Sequence, residues 1–292
     1  MENGSHILTL KNGFHLWSHT ENSGGKTKVI AVHGGPGDNH ESFETLPAAL
    51  LENEISYYDQ LGSWYSDQPD FSDLALAEKY LNIAYFVDEL EAVRQQLGYE
   101  KFVLLGYSWG GMIALEYALK YPKRLNKLII VGMSDRDRDF TDRMKDEVSK
   151  VLSADEAAYV FKEANAGDLN DPLFNQYMAR FYEDYYGRFS KSSTTHAVST
   201  TNMQVADYMM GRNPFQTVGM MAGWDISDRI DQINTPTQFM IGDQDMIPIA
   251  RIQKIIRHMQ NAKLVVVPQA THVVIRDNPE YFFQQLNNFL NN

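Results

Sequence analysis

Cysteine is absent from all 292 residues. Its absence excludes disulfides, thiolate-held zinc, iron–sulfur clusters and a thiol nucleophile. Covalent chemistry, if there is any, must run through Ser, Thr, Lys or a carboxylate. Long hydrophobic runs are missing as well. No window approaches the roughly 20 apolar residues of a membrane-spanning helix, and the opening Met1-Glu2-Asn3-Gly4-Ser5-His6 has no basic stretch leading into an apolar one. A soluble, cytoplasmic protein is the expectation. Basic charge is scarce: 26 Lys and Arg stand against 38 Asp and Glu, a net charge of −12, with no Lys/Arg run longer than two. Such a chain repels phosphate backbones, so neither nucleic acid nor a membrane is an expected partner.

What is present is enough apolar content, 43%, to bury one large core with room for an insertion. The first 20 residues read as a hairpin, Ile7-Leu8-Thr9-Leu10 and Phe14-His15-Leu16-Trp17 joined at Asn12-Gly13. The run Val29-Ile30-Ala31-Val32 then reads as a strand buried on both faces, ending in His33-Gly34-Gly35-Pro36-Gly37. Beyond it the pattern predicts a helix over 40–53, a strand at 55–58, a helix over 81–98, strand 102–105, a helix over 109–121 and strand 128–131. It resumes with strand 236–241, a helix at 249–259, strand 264–267 and a last helix from 279. Alternating buried strands and helices predict an α/β class protein with a mostly parallel, doubly wound sheet. The stretch 134–225 lacks buried-strand runs and holds seven of the 13 methionines and six of the 16 tyrosines. It reads as a helical cap inserted into a catalytic core formed by 1–133 and 226–292, with an adaptable apolar lining.

The chemistry gathers at Leu104-Leu105-Gly106-Tyr107-Ser108-Trp109-Gly110-Gly111. Gly-x-Ser-x-Gly is a weak signal alone, but here an apolar strand runs into it and a helix leaves it. That turn holds a serine hydroxyl clear of the sheet, beside a helix N-terminus that favours developing negative charge. A serine needs a base, and the base needs an orienting carboxylate. Of the eight histidines, His272 sits just beyond the last strand, on the edge where parallel-sheet sites collect. His33 lies in the glycine loop, His196 in the cap and His258 on a helix; His6, His15, His19 and His40 all precede the serine. Asp243 and Asp245, at the end of the preceding strand, compete evenly for the carboxylate. The order Ser108, Asp, His272 is that of the α/β-hydrolase fold. For the oxyanion hole, the N–H groups of Trp109 and Gly35 are the candidates. No metal or organic cofactor is implied.

These residues resemble the proline iminopeptidase family of α/β-hydrolase serine peptidases over essentially the whole chain. His33-Gly34-Gly35-Pro36-Gly37 is similar to the family's HGGPG loop, Tyr58-Asp59-Gln60-Leu61-Gly62-Ser63 to its YDQ-x-G-S segment, and Gly106-Tyr107-Ser108-Trp109-Gly110-Gly111 to its SWGG elbow. The stretch Asp59–Asp70 is especially like the lactic-acid-bacterial branch. The resemblance implies Asp245 as the acid, because it precedes Pro248 by three. It supports Gly35 and Trp109 as the oxyanion positions and implies substrate contacts at Gly34, Trp109, Phe215, Trp224 and Met246. The implied activity is an acyl-enzyme aminopeptidase releasing N-terminal proline or small apolar residues. The expected partner is a small peptide or other small acyl substrate, and self-association into a homo-oligomer is left open. The family reads a free amine with cap-region glutamates, and here the sequence departs: Pro214 stands in Asn213-Pro214-Phe215, and Met246 follows Asp245. The cap acids Glu183, Asp184 and Asp207 read first as surface charges. An esterase, amidase or lactonase with an apolar acyl pocket is the alternative expectation.

Overall fold

A computed structural model describes residues 1–189 and 200–291. Eight strands form one sheet in the order β1-β2-β4-β3-β5-β6-β7-β8. They are β1 (Gly4–Thr9), β2 (His15–Glu21), β3 (Thr27–Val32), β4 (Asn53–Tyr58), β5 (Phe102–Tyr107), β6 (Leu125–Val131), β7 (Thr237–Gly242) and β8 (Ala262–Val267). β1 pairs antiparallel with β2, and β2 antiparallel with β4; every pairing from β4 to β8 is parallel. The apolar runs are continuous because helices cover both faces. Alternate residues divide between two cores. Ile30, Val32, Leu104, Ile130 and Phe239 face one side, and Val29, Ala31, Leu105, Ile129 and Val131 the other.

On the first face pack α3 (Ile83–Leu97), α4 (Trp109–Lys120) and, further along the chain, Ile249–His258. On the second lie the short α1 (Leu46–Ala49) and the C-terminal helices Val274–Asp277 and Pro279–Asn291. The single helix expected over 40–53 is corrected to a 3-10 turn, His40–Phe43, followed by α1. Pro47 explains the break: it suits the first turn of α1 but would disrupt the interior of a longer helix. The apolar pattern does not predict the helix α2 (Leu74–Tyr80), which opens on Asp73 as its N-cap.

Between β6 and β7 run α5 (Arg138–Val151), α6 (Ala154–Ala166), α7 (Pro172–Gly187) and α8 (Met203–Met210). The three after them are α9 (Ile249–His258), α10 (Val274–Asp277) and α11 (Pro279–Asn291). α6 opens on a capping box, Ser153 with Glu156, and ends on left-handed Gly167. α5, α6 and α7 bury a core of their own around Met144, Val148, Val160, Met178 and Phe181. The two ends of the segment meet, with Asp137 N donating to Trp224 O at 3.0 Å and Ile226 N to Asp135 O at 2.9 Å. Arg251 of α9 fixes that junction by clasping Asp135 through two bonds of 2.7 Å. Among the described residues no helix is long and apolar enough to cross a membrane.

The strand order places the site. β3 is flanked by β4 on one side and β5 on the other, so the loops leaving β3 and β5 part at their carboxyl ends. A crevice at such a divergence is where open α/β sheets bind ligands. His33–Gly37 leaves β3 there, and Ser108 leaves β5.

Candidate active site

Ser108 has φ 53° and ψ −120°, a conformation that costs a non-glycine residue about 1–3 kcal/mol. The surroundings hold it there. Its N–H donates to Val131 O on β6 at 2.8 Å, and its carbonyl accepts from Gly111 N at 2.7 Å. The motif's glycines are required because strand and helix approach too closely for a side chain. A Cβ on Gly106 would stand 2.2 Å from Gly110 O, and one on Gly110 would stand 2.0 Å from Val32 O.

Ser108 Oγ lies 3.0 Å from His272 Nε2, and His272 Nδ1 lies 2.8 Å from Asp245 Oδ1. The carboxylate can only accept, so Nδ1 carries the proton and Nε2 is left to accept from the serine hydroxyl. Asp245 is 3% exposed, and its Oδ1 also accepts from Ile247 N at 3.0 Å. Asp243, the even competitor in the sequence, turns the other way. Its two oxygens accept from Gln269 N at 3.0 Å and Ala270 N at 3.1 Å, so it shapes the loop that presents His272.

Two tyrosines hold the His272 peptide, and neither was singled out in the sequence. Tyr107 donates its hydroxyl to His272 O at 2.9 Å. Tyr185 of α7 accepts from His272 N at 3.2 Å and donates to Gln244 O at 2.9 Å, tying both loops to the inserted helices. Gly132 makes room for the ring, since a Cβ there would sit 2.9 Å from His272 Cε1. Phe140 meets the ring edge-on at 5.1 Å.

The β3 loop lies directly over the serine: a Cβ on Gly34 would come within 3.2 Å of Ser108 Cβ. Gly35 takes φ +105°, and Trp109 N–H, the first of its helix, has no intrahelical acceptor. Gln60 joins these two parts. Its side chain donates to His33 O at 3.0 Å and accepts from Trp109 Nε1 at 2.8 Å, while its own N–H donates to His33 Nε2 at 3.1 Å. Nε2 therefore accepts, and Nδ1 donates to Gly34 O at 2.8 Å. His33 is neutral in this role, and burial pushes its pKa below the ordinary histidine value. Asp59 anchors the far end of the loop by accepting from His40 N at 3.0 Å and His40 Nδ1 at 2.8 Å. The Asp59-Gln60 pair was visible as a motif, but nothing in its spacing revealed that it braces the glycine loop.

The other sequence candidates lie elsewhere. Phe215 meets Phe161 edge-on at 4.8 Å in the apolar core of α5–α7, and Met246, fully buried, belongs to the same cluster. Trp224 donates its indole N–H to Glu116 Oε1 at 2.9 Å, on α4 about 12 Å of helix rise beyond Ser108. Glu183 and Asp184 are exposed, the latter 3.0 Å from Arg188, and Asp207 faces Arg212 at 3.6 Å. His196 falls outside the described residues. Among the described residues no group of three His, Asp or Glu side chains converges to hold a metal.

A strained serine with an aligned imidazole and carboxylate, at the switch point of a doubly wound sheet, defines a class of protein. The family model described as alpha/beta hydrolase fold matches residues 28–279, and the chain belongs to that family; it is a hydrolase of the serine type. Its particular kinship is with proline iminopeptidases. The proline iminopeptidase of Flavobacterium johnsoniae is 28% identical over 98% of this chain and 96% of its own length. That of Thermoplasma volcanium is 30% identical over 88% of this chain and 86% of its own. The crystal structure of the proline iminopeptidase from Mycobacterium smegmatis superposes with a TM-score of 0.87 at 26% identity, covering 99% of this chain and 98% of that one.

Proposed function

We propose that the protein is a serine aminopeptidase releasing N-terminal proline, or a small apolar residue, from peptides through an acyl-enzyme on Ser108. In this reading His272 takes the Ser108 proton as the hydroxyl attacks the scissile carbonyl, and Asp245 holds the imidazole and stabilises the imidazolium. The N–H groups of Gly35 and Trp109 receive the oxyanion. His272 then gives its proton to the leaving amine, and a water molecule repeats the sequence to release the acid. Residues 134–225 act as a cap over a core of 1–133 and 226–292. Gly34 and Trp109 meet the substrate, Phe215 and Met246 back the pocket wall from the apolar cluster, and Trp224 fixes the end of the cap through Glu116.

The observation that carries this reading is the unbroken hydrogen-bonded line from Ser108 through His272 to Asp245 at a strained strand-to-helix turn. Kinship with proline iminopeptidases supports the substrate class, and a cytoplasmic site of action goes with it. Turnover of prolyl-anilide against N-acetylprolyl-anilide tests it. The free-amine substrate alone should react, with Ser108→Ala costing several orders of magnitude in kcat. Equal rates would overturn the aminopeptidase assignment.

A second reading keeps the same chemistry on an ester, amide or lactone. Pro214 and buried Met246 favour it, because neither supplies a charge for an ammonium. Short p-nitrophenyl esters hydrolysed no faster by the wild type than by Ser108→Ala would eliminate that reading.

A further inference from the structure

An N-terminal proline enters the site as a secondary ammonium, and a cation in a desolvated pocket needs an anion that is not already neutralised. The acids around the triad and the inserted helices are mostly spoken for. Asp245 holds His272 at 2.8 Å, Asp135 holds Arg251 at 2.7 Å, and Asp139 holds Arg136 at 2.7 Å. Glu147 holds Arg143 at 2.9 Å and Lys150 at 2.5 Å.

Asp38 is different. It follows the glycine loop and folds back on it: a Cβ on Gly35 would stand 2.7 Å from Asp38 N and 3.1 Å from Asp38 Cβ. Gly34, one residue earlier, covers Ser108. Asp38 is half-buried, and its Oδ1 accepts from Thr201 Oγ1 at 2.6 Å, while its Oδ2 has no donor among the described residues. No Lys or Arg lies on it among those residues, and His33 nearby is neutral. Burial accordingly pushes its carboxyl above the ordinary aspartate range. The backbone beneath Asp38 is fixed, because Gly37 O accepts from Asn202 N at 2.9 Å.

We propose that Asp38 is the anchor for the substrate's N-terminal ammonium, supplying from the oxyanion-loop side the charge that Pro214 and Met246 do not. This assignment rests on the aminopeptidase reading above. An α-amine is two bonds from the scissile carbonyl carbon, so an anchor beside the oxyanion loop is within its reach, and Asp38 packs against Gly35 of that loop. The pairing also explains why a desolvated carboxylate is tolerated: the incoming ammonium compensates it.

The test measures inhibition of p-nitrophenyl acetate hydrolysis by L-prolinamide and by tetrahydrofuran-2-carboxamide, which replaces the ring NH2+ with an oxygen. Wild type should bind the amine at least about tenfold better than the ether, the span expected for one desolvated charge pair. In Asp38→Asn, which still accepts from Thr201, that preference should fall to within about threefold, and Asp38→Glu should restore part of it; circular dichroism confirms that each variant is folded. A preference undiminished in Asp38→Asn overturns the anchor and leaves the aminopeptidase reading standing. No preference in the wild type overturns both.

Discussion

Glu89 lies on the buried face of α3, 3% exposed, with its two oxygens 3.4 and 3.2 Å from Leu61 N and no cation among the described residues. Burial pushes its pKa from 4.5 up to about 8, against the opposing effect of the Leu61 and Tyr85 hydrogen bonds. The folded protein therefore holds a proton that the unfolded chain releases near pH 4.5. Stability is complete below that pH and is lost as the pH rises towards 8. A window of about three and a half pH units, at about 1.4 kcal/mol each, amounts to about 5 kcal/mol. Glu89→Gln keeps an acceptor for Leu61 and abolishes the titration. Urea unfolding of the two proteins at pH 5, 6, 7 and 8 should give similar stabilities at the acid end. The variant should gain about 1.4 kcal/mol per pH unit thereafter and reach a plateau above pH 8. If the separation grew by less than about 1 kcal/mol between pH 5 and 8, Glu89 would be ionised in the folded state and the account of its burial would be wrong.

Exchanging the two loop aspartates separates catalysis from architecture. Asp245→Asn should lower kcat by about four orders of magnitude by favouring the wrong imidazole tautomer. Asp243→Asn should instead cost about 1–3 kcal/mol of stability, by weakening the acceptor for Gln269 and Ala270, and keep kcat within about tenfold of wild type, below the smallest loss expected when one oxyanion donor is removed; ester turnover and urea unfolding check both. Gln60→Leu strands two buried groups, the Trp109 indole N–H and the His33 carbonyl, at about 1–3 kcal/mol each. If the bridge also positions the oxyanion donors, kcat should fall at least tenfold, towards the roughly hundredfold loss seen when one such donor is removed; a stability loss with kcat unchanged would leave Gln60 a purely structural role. Tyr185→Phe removes the acceptor for His272 N and the donor to Gln244 O, and should lower the unfolding midpoint together with kcat, the latter about three- to tenfold for a shift of about 1 kcal/mol at the base.

The strands were legible because a parallel sheet covered on both faces writes itself as uninterrupted apolar runs, as in Phe102–Tyr107, where every residue is buried. Ser108 and His272 were legible for a related reason: a strand-to-helix elbow and a post-strand loop are local, and the sheet brings their ends together. Asp245 was distinguishable from Asp243 only through resemblance. Two carboxylates two residues apart in one loop differ in the path the backbone takes, and that path is set by Gln269 and Ala270, distant in sequence. Gln60 and Tyr185 were invisible as contributors because each acts through partners 27 to 87 residues away. Apolar periodicity over 40–53 predicts one helix, but Pro47 confines the helix to a short turn that starts just before it.

Position 246 shows how the inserted helices and the triad constrain each other. Met246 follows the acid Asp245 directly, yet it is fully buried in the cluster that includes Phe174, Met178, Phe181 and Phe215. Its side chain welds the Asp245 loop to α7, and Tyr185 of the same helix holds His272 from the other side. A carboxylate at 246 would enter that apolar cluster without a partner, at a cost of several kcal/mol. Met246 thus seats α7 firmly on the loop that carries Asp245 and leaves that position without a charge. The proposed amine anchor accordingly stands on the other side, where the glycine loop is braced by Gln60 and Asp59 and is followed by Asp38, which no Lys or Arg among the described residues has claimed.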